Sequence, residues 1–337
     1  MRAVAVGLVV IHHAVTPLRF GGYVGVDVFF VLSGYLITGI LLADHERSGR
    51  VNLRRFYVRR AIRLYPALLT TVILLLPTAL LLSRHKLATI IDAGGALTYL
   101  TPVMLLVNDS SSIVFRHTWS LGVEEMFYLV WPLILIALLR LRNRRAAIVW
   151  TAAGLGVLIL AAGAVTAPTG SDFPYLSRSG GLFLGCAARA LLFKRVVRVP
   201  PVVGWAGSAC LFMAVVSGTR SPQQNLTVLL AIAGSLALVV YLSHPRSGRL
   251  VAILAAAPLA YLGRISYEMY LWHYPVFMLA SRLTGRTFLA LSWWCAPLSL
   301  LLAALTHAIL TPLSNRWKAR TTAAGPDSAR VAVSTTS

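Results

Sequence analysis

Apolar stretches follow one another along almost the whole chain, at about 3–17, 23–42, 64–82, 87–107, 119–139, 146–166, 178–193, 202–217, 226–243, 252–281 and 288–312. Runs of about 20 such residues are long enough to cross the hydrocarbon core of a bilayer as helices. There is no water in that core, so every backbone N–H and C=O must be satisfied within the segment, which helices do. The expected fold class is therefore all-α, a polytopic transmembrane helix bundle. Composition agrees: 58% of the 337 residues are hydrophobic and 12% charged, against about 25% charged in a soluble domain.

The net charge of +21, from 31 Lys and Arg against 10 Asp and Glu, would suggest nucleic acid in a soluble protein. Here the basic residues gather between apolar runs, so orientation in the membrane and contact with anionic lipid are the expected roles, with no nucleic-acid partner. The clusters are residues 44–63 (DHERSGRVNLRRFYVRRAIR), "RLRNRR" at 140–145, "KRVVR" at 194–198, "RSGR" at 246–249 and "RWKAR" at 316–320. Cytoplasmic placement of all five requires an even number of crossings between neighbours. Between 63 and 140 there are three apolar segments. The weakest is 87–107, with Asp92, Gly94, Gly95 and Pro102, and it is expected to lie on the outer surface or to re-enter. Residues 252–281 count as one span interrupted near Gly263. The expectation is about ten spans, with N and C termini cytoplasmic. The opening mimics a signal peptide, but His12 and His13 directly after the apolar run, and the second long segment behind them, favour a retained first helix. Residues 1–317 form the membrane domain, and 318–337 a small, polar, disordered cytoplasmic tail. Cys186, Cys210 and Cys295 sit singly within apolar runs, as packing residues without a disulfide framework or zinc site.

Ionisable residues inside such spans are costly and tend to be functional. Arg2 and His13 are eleven residues apart, hence about 20° apart around a helix and about 16 Å along it. One face thus carries Arg at the inner end and His well up the span, which suits a polar channel; an interface anchor and a structural histidine are the plainer alternative. Asp27 starts the second span in "GVDVFFVLSGYLIT". With a hairpin through Pro17–Gly22 it would lie level with His13 and either orient the imidazole or cap the helix start. Ser33 and Gly34 suit close helix packing. Arg60 and Arg63, three apart in "RRFYVRRAIRLYP" at the inner face, can grip phosphates or simply supply positive-inside charge. Toward the outer half, "HTWSLGVEEMFYLVWP" offers Trp119, Ser120, Glu124 and Glu125 either to a hydroxylated acceptor or to a helix start. "GRISYEMYLWHYP" brings Ser266, Tyr267, Glu268, Tyr270 and His273 into one segment, more polarity than an interfacial aromatic belt needs.

In combination these stretches resemble the acyltransferase-3 family of integral membrane O-acyltransferases. The matching features are Arg2 ten residues before His13, "GVDVFFVLSGYLIT", the RxxR of Arg60 and Arg63, "TWSLGVEEMFYLVWPL" and "LGRISYEMYLWHYPV". They occur in family order and cover residue 2 to about 276. The resemblance implies an acyl-CoA donor, with acetyl-CoA expected, reached from the cytoplasm and acting as co-substrate, with no permanently bound cofactor; no metal is expected, because the sequence offers no ligand cluster of suitable spacing. It implies transfer to a hydroxyl of a carbohydrate-containing acceptor such as a cell-surface glycan, or alternatively of a macrolide, at the plasma membrane. Carried over, His13 is the catalytic histidine, Arg2 its paired arginine, and Arg60 and Arg63 the donor-binding pair. Trp119 and Glu124 match motif positions whose role the resemblance leaves open. Beside it, the reading of the residues themselves expects Asp27 to hold the His13 imidazole, and Trp119, Ser120, Glu124, Tyr270 and His273 to position the acceptor. Two positions depart from the family pattern: Arg2 directly follows Met1, and Thr311-Pro312 stands where many members have Glu-Pro. With only a tail after residue 317, the chain is expected to deliver the acyl group itself or hand it to a separate protein. A secondary transporter also fits polar residues at mid-membrane, but it predicts inverted repeats, which the sequence does not display.

Overall fold

The computed structural model describes residues 1–15, 21–107, 114–166, 178–195, 197–217, 224–243 and 248–323. Among them there are helices and no strands. In chain order these are α1 (Arg2–Ala14), α2 (Gly25–Ser48), α3 (Leu53–Leu82), α4 (Lys86–Leu97), α5 (Thr101–Val107), α6 (Trp119–Leu139) and α7 (Arg144–Thr166). They continue as α8 (Gly180–Leu192), α9 (Pro201–Ser217), α10 (Gln224–Leu242), α11 (Arg249–Ala255), α12 (Ala257–Arg264), α13 (Ser266–Thr284) and α14 (Phe288–Ala323). Short 3-10 turns at Gly22–Val24 and Arg116–Thr118 lead into α2 and α6.

Among the described residues, five stretches are long and apolar enough to cross a membrane: Gly22–Ser48, Leu53–Leu82, Arg116–Leu139, Arg144–Val165 and Phe288–Trp317. Arg2–Ala14, Gly180–Leu192, Pro201–Ser217 and Leu226–Leu242 are shorter apolar helices. The chain is an all-α, multi-pass membrane protein. Its surface carries Leu81 at 84%, Trp293 at 76% and Trp150 at 75% exposure. Side chains of this kind are unfavourable in water but suit the lipid around a bundle.

The 87–107 segment is divided into α4 and α5 by a turn in which Tyr99 takes a left-handed φ of 59°. At 1.5 Å per residue neither helix is long enough to cross. The 252–281 segment is interrupted twice, at Ala256 and Ile265, so its long part is α13. The last helix continues to Ala323, into the segment expected to be tail, and residues 324–337 lie outside the described residues. Cys186 and Cys295 are buried, Cys210 is half-buried, and all three are free thiols.

At the centre, α2 packs against α1, α6, α8 and α10, while α13 packs against α1, α3 and α14. The α2–α8 crossing is close enough to require glycine. A Cβ on Gly34 would stand 1.8 Å from the Leu182 carbonyl oxygen, and one on Gly185 would stand 2.2 Å from that of Val31. Small residues let membrane helices approach backbone to backbone in this way. Beside this contact, Trp131 Nε1 donates to Thr38 Oγ1 (2.9 Å), tying α6 to α2.

A candidate active site between α2, α3, α6 and α13

The acting side chains are delivered by several helices: Arg2 by α1, Arg60 and Arg63 by α3, Ser120 and Glu124 by α6, and Tyr270 by α13. The side chain of Asn52 caps α3 by accepting from the Arg55 backbone N–H (2.9 Å). The helix therefore starts before the arginine pair, and Arg60 and Arg63 lie about two to three turns in, roughly 10–15 Å along its axis. There Arg60 Nε donates to Glu125 Oε1 of α6 (3.0 Å), and its guanidinium lies 3.1 Å from the centroid of the Tyr128 ring. The pair is about four-fifths buried on both sides. Glu124, the next residue on α6, accepts from Ser33 Oγ of α2 (3.0 Å) and from the Tyr128 hydroxyl (3.1 Å).

These groups wall a cavity of about 190 Å³. Arg2, Arg60 and Arg63 line it together with Ser120, Glu124 and Tyr270. A neighbouring vestibule of about 460 Å³ shares Ile37, Ile40, Arg60 and Arg63 with it and adds Arg55 and Arg59. Tyr267 anchors the α13 wall by donating to the Leu64 carbonyl (3.1 Å). Tyr270 donates to the His117 carbonyl (2.7 Å), so in its 2.7 Å contact with Ser120 Oγ the serine is the donor. Six of the ten residues expected at the site, Arg2, Arg60, Arg63, Ser120, Glu124 and Tyr270, are thus assembled around one cavity.

The other four stand elsewhere. His13 and His273 do not line the cavity. His273 is fully buried behind Tyr270, at a ring separation of 5.4 Å, and His13 lies beyond it at 5.1 Å. His117 packs into the same layer, 5.6 Å from Tyr270 and 5.7 Å from His273. Trp119 meets Phe30 edge-on at 6.3 Å, behind the cavity wall.

Two expectations are corrected. Asp27 is not beside His13. The turn at Gly22 sits against Leu8 and His12, and Gly25 sits against Ala5 and Val9, so α2 begins alongside the middle of α1. Asp27 follows that contact and is level with an earlier part of α1 than His13. Its carboxylate is taken by Arg178, whose Nε and Nη2 donate to the two oxygens at 3.0 and 2.5 Å. Arg178 also donates to the Tyr23 carbonyl (3.0 Å). The second correction concerns depth: the arginine pair and "GVEE" were expected at opposite halves of the membrane, yet Arg60 and Glu125 are in direct contact.

Arg178, Tyr128 and His117 received no role from the sequence. Arg178 carried a usable signal, as a cation opening an apolar run in a chain with only 10 acids. Among the described residues no group of three or more His, Cys, Asp or Glu side chains is arranged to hold a metal ion.

Residues 1–311 match the family described as an acyltransferase domain. The chain belongs to this acyltransferase-3 family. It is 30% identical over 305 residues to the peptidoglycan O-acetyltransferase OatA of Listeria monocytogenes, covering 83% of this chain and 49% of that protein. It is 30% identical over 302 residues to the O-acetyltransferase OatA of Staphylococcus aureus, covering 82% and 49%. To the putative peptidoglycan O-acetyltransferase YrhL of Bacillus subtilis it is 32% identical over 310 residues, covering 83% and 48%. The aligned part of this acyltransferase-3 chain thus spans about half the length of these relatives. No solved structure matches it.

Proposed function

We propose that this acyltransferase-3 chain is a membrane O-acyltransferase that moves an acetyl group from acetyl-CoA to a hydroxyl of a cell-surface glycan. The observation that carries this reading is the convergence of Arg2, Arg60 and Arg63 on one cavity, next to a second, basic cavity that shares Arg60 and Arg63 with it. Guanidinium groups hold phosphates through paired, charge-assisted hydrogen bonds, and CoA is a phosphate-bearing donor. The acetyl group and the glycan come from the names of the relatives, which include peptidoglycan O-acetyltransferases. In this reading the chain crosses ten times, both termini are cytoplasmic, and the vestibule faces the donor pool.

The chemistry follows from the groups present. The CoA phosphates rest on Arg60 and Arg63, with Arg60 held in place by Glu125 and Tyr128. The pantetheine arm enters the cavity and brings the thioester to the Ser120–Tyr270 end. The Tyr270 and His273 rings stand between that end and His13, so the reaction requires the Tyr270 side chain to leave its hydrogen bonds to the His117 carbonyl and Ser120 and swing aside. Neutral His13 takes the proton from the acceptor hydroxyl as its oxygen attacks the thioester carbonyl. The carbon–sulfur bond then breaks, the CoA thiolate leaves with the proton returned from His13, and the acceptor carries an acetyl ester. Trp119 and Glu124 support the cavity wall on which the reacting groups are held.

The test is label transfer from radiolabelled acetyl-CoA to a purified glycan by the protein in detergent. Wild type should transfer label, and His13→Ala should reduce transfer to background while retaining the folded state. An intact thioester pool with wild-type protein, or full activity of His13→Ala, would reject the reading.

A further inference from the structure

We propose that His273 is a positioning residue for His13, fixing which nitrogen of that ring carries hydrogen and which accepts a proton. This rests on the reading of His13 as the base. The assignment comes from the partners of the two rings. His273 Nδ1 faces the carbonyl oxygens of Tyr270 (2.7 Å) and Met269 (3.2 Å). Carbonyls only accept, so Nδ1 carries the hydrogen and the lone pair of the neutral ring is on Nε2. That lone pair faces His13 Nδ1 at 3.3 Å. His13 Nδ1 also lies 2.9 Å from the Val9 carbonyl, again an acceptor. Its hydrogen is therefore shared between Val9 and His273, and the lone pair of His13 is on Nε2.

The arrangement does two things. It holds the His13 ring in one orientation, because a flipped ring would put Cδ2–H where Nδ1–H now faces the Val9 carbonyl and His273 Nε2, and both hydrogen bonds would be lost. It also steadies the ring once Nε2 has gained a proton, since a charged donor strengthens the hydrogen bond from Nδ1 to His273 Nε2. His273 can serve in this way because it is itself immobile: it is fully buried, and His117 and Tyr270 pack against it. No described hydrogen bond links Asp27 to either ring, and its carboxylate is engaged by Arg178.

The experiment compares His273→Phe, His273→Gln and His13→Ala in the label-transfer assay, each checked for monodisperse elution and unfolding. Phe keeps a ring and offers no acceptor; Gln restores an acceptor oxygen. His273→Phe should lower kcat by about 10- to 100-fold, the loss of one hydrogen bond to a charged group, with KM for acetyl-CoA unchanged. His273→Gln should recover most of that loss. Full kcat in His273→Phe, or equal losses in both variants, overturns the proposal. If His13→Ala is active, the underlying reading falls instead. Should His273→Phe fail to fold, histidine ¹⁵N spectra of the wild type decide: a hydrogen on His13 Nδ1 supports the proposal, and one on Nε2 overturns it.

Discussion

Replacing Arg178 by Met removes the one described partner of a fully buried carboxylate. Asp27 is 0% exposed and Arg178 8%, and three hydrogen bonds of 2.5–3.0 Å join the arginine to Asp27 and the Tyr23 carbonyl. Two opposite charges about 4 Å apart attract by about 4 kcal/mol at an effective dielectric of about 20. Removing one member of such a buried pair typically costs about 3–5 kcal/mol, because the other charge is left uncompensated. Replacing both members by apolar residues is often neutral or stabilising. Arg178→Met should therefore lose about 3–5 kcal/mol of stability, and Asp27→Leu combined with Arg178→Met should recover most of it. The assay is denaturant unfolding in detergent, followed by tryptophan fluorescence. Arg178→Met with wild-type stability, or a double variant that loses at least the sum of the two single losses, would refute the account of this pair.

Two further outcomes follow from the same geometry. Arg60→Gln should raise KM for acetyl-CoA by about 10- to 100-fold with a smaller change in kcat, the pattern expected when a charge-assisted contact to the donor is lost; steady-state kinetics across acetyl-CoA concentrations reads both. Gly34→Ala places a methyl group where the Leu182 carbonyl already stands. It should destabilise the α2–α8 crossing by about 1–3 kcal/mol or more, seen as earlier unfolding on heating in detergent.

The helices and the site were legible in the sequence to different degrees, for a physical reason. Apolar runs of spanning length are local, so the helices could be placed without knowing their neighbours. The weakness of 87–107 was also local: Gly94 and Gly95 lie in the last turn of α4 and Pro102 in the first turn of α5, on either side of the division. Gly34 was read as a packing residue, and α8 does press against it. Partner choice is not local. Asp27 and Arg178 are 151 residues apart, and His13 and His273 are 260 apart. Only the way the helices stack decides which polar groups meet. The hairpin assumption placed Asp27 level with His13, whereas α2 begins lower, against Ala5 and Leu8. Charge placement alone likewise separated Arg60 from Glu125, because it gave the side of each segment and not how far Arg60 reaches into the bundle. A stricter pairing of the few acids with the few arginines inside apolar runs would have suggested Arg178.

The most direct measurement is a structure of the protein with a non-reactive acetyl-CoA analogue bound. The account predicts phosphates within hydrogen-bond reach of Arg60 and Arg63, the arm inside the cavity, and the acyl end at Ser120 and Tyr270 on the side facing His13. A nucleotide bound away from these arginines, or an acyl end pointing away from the histidine, would contradict it.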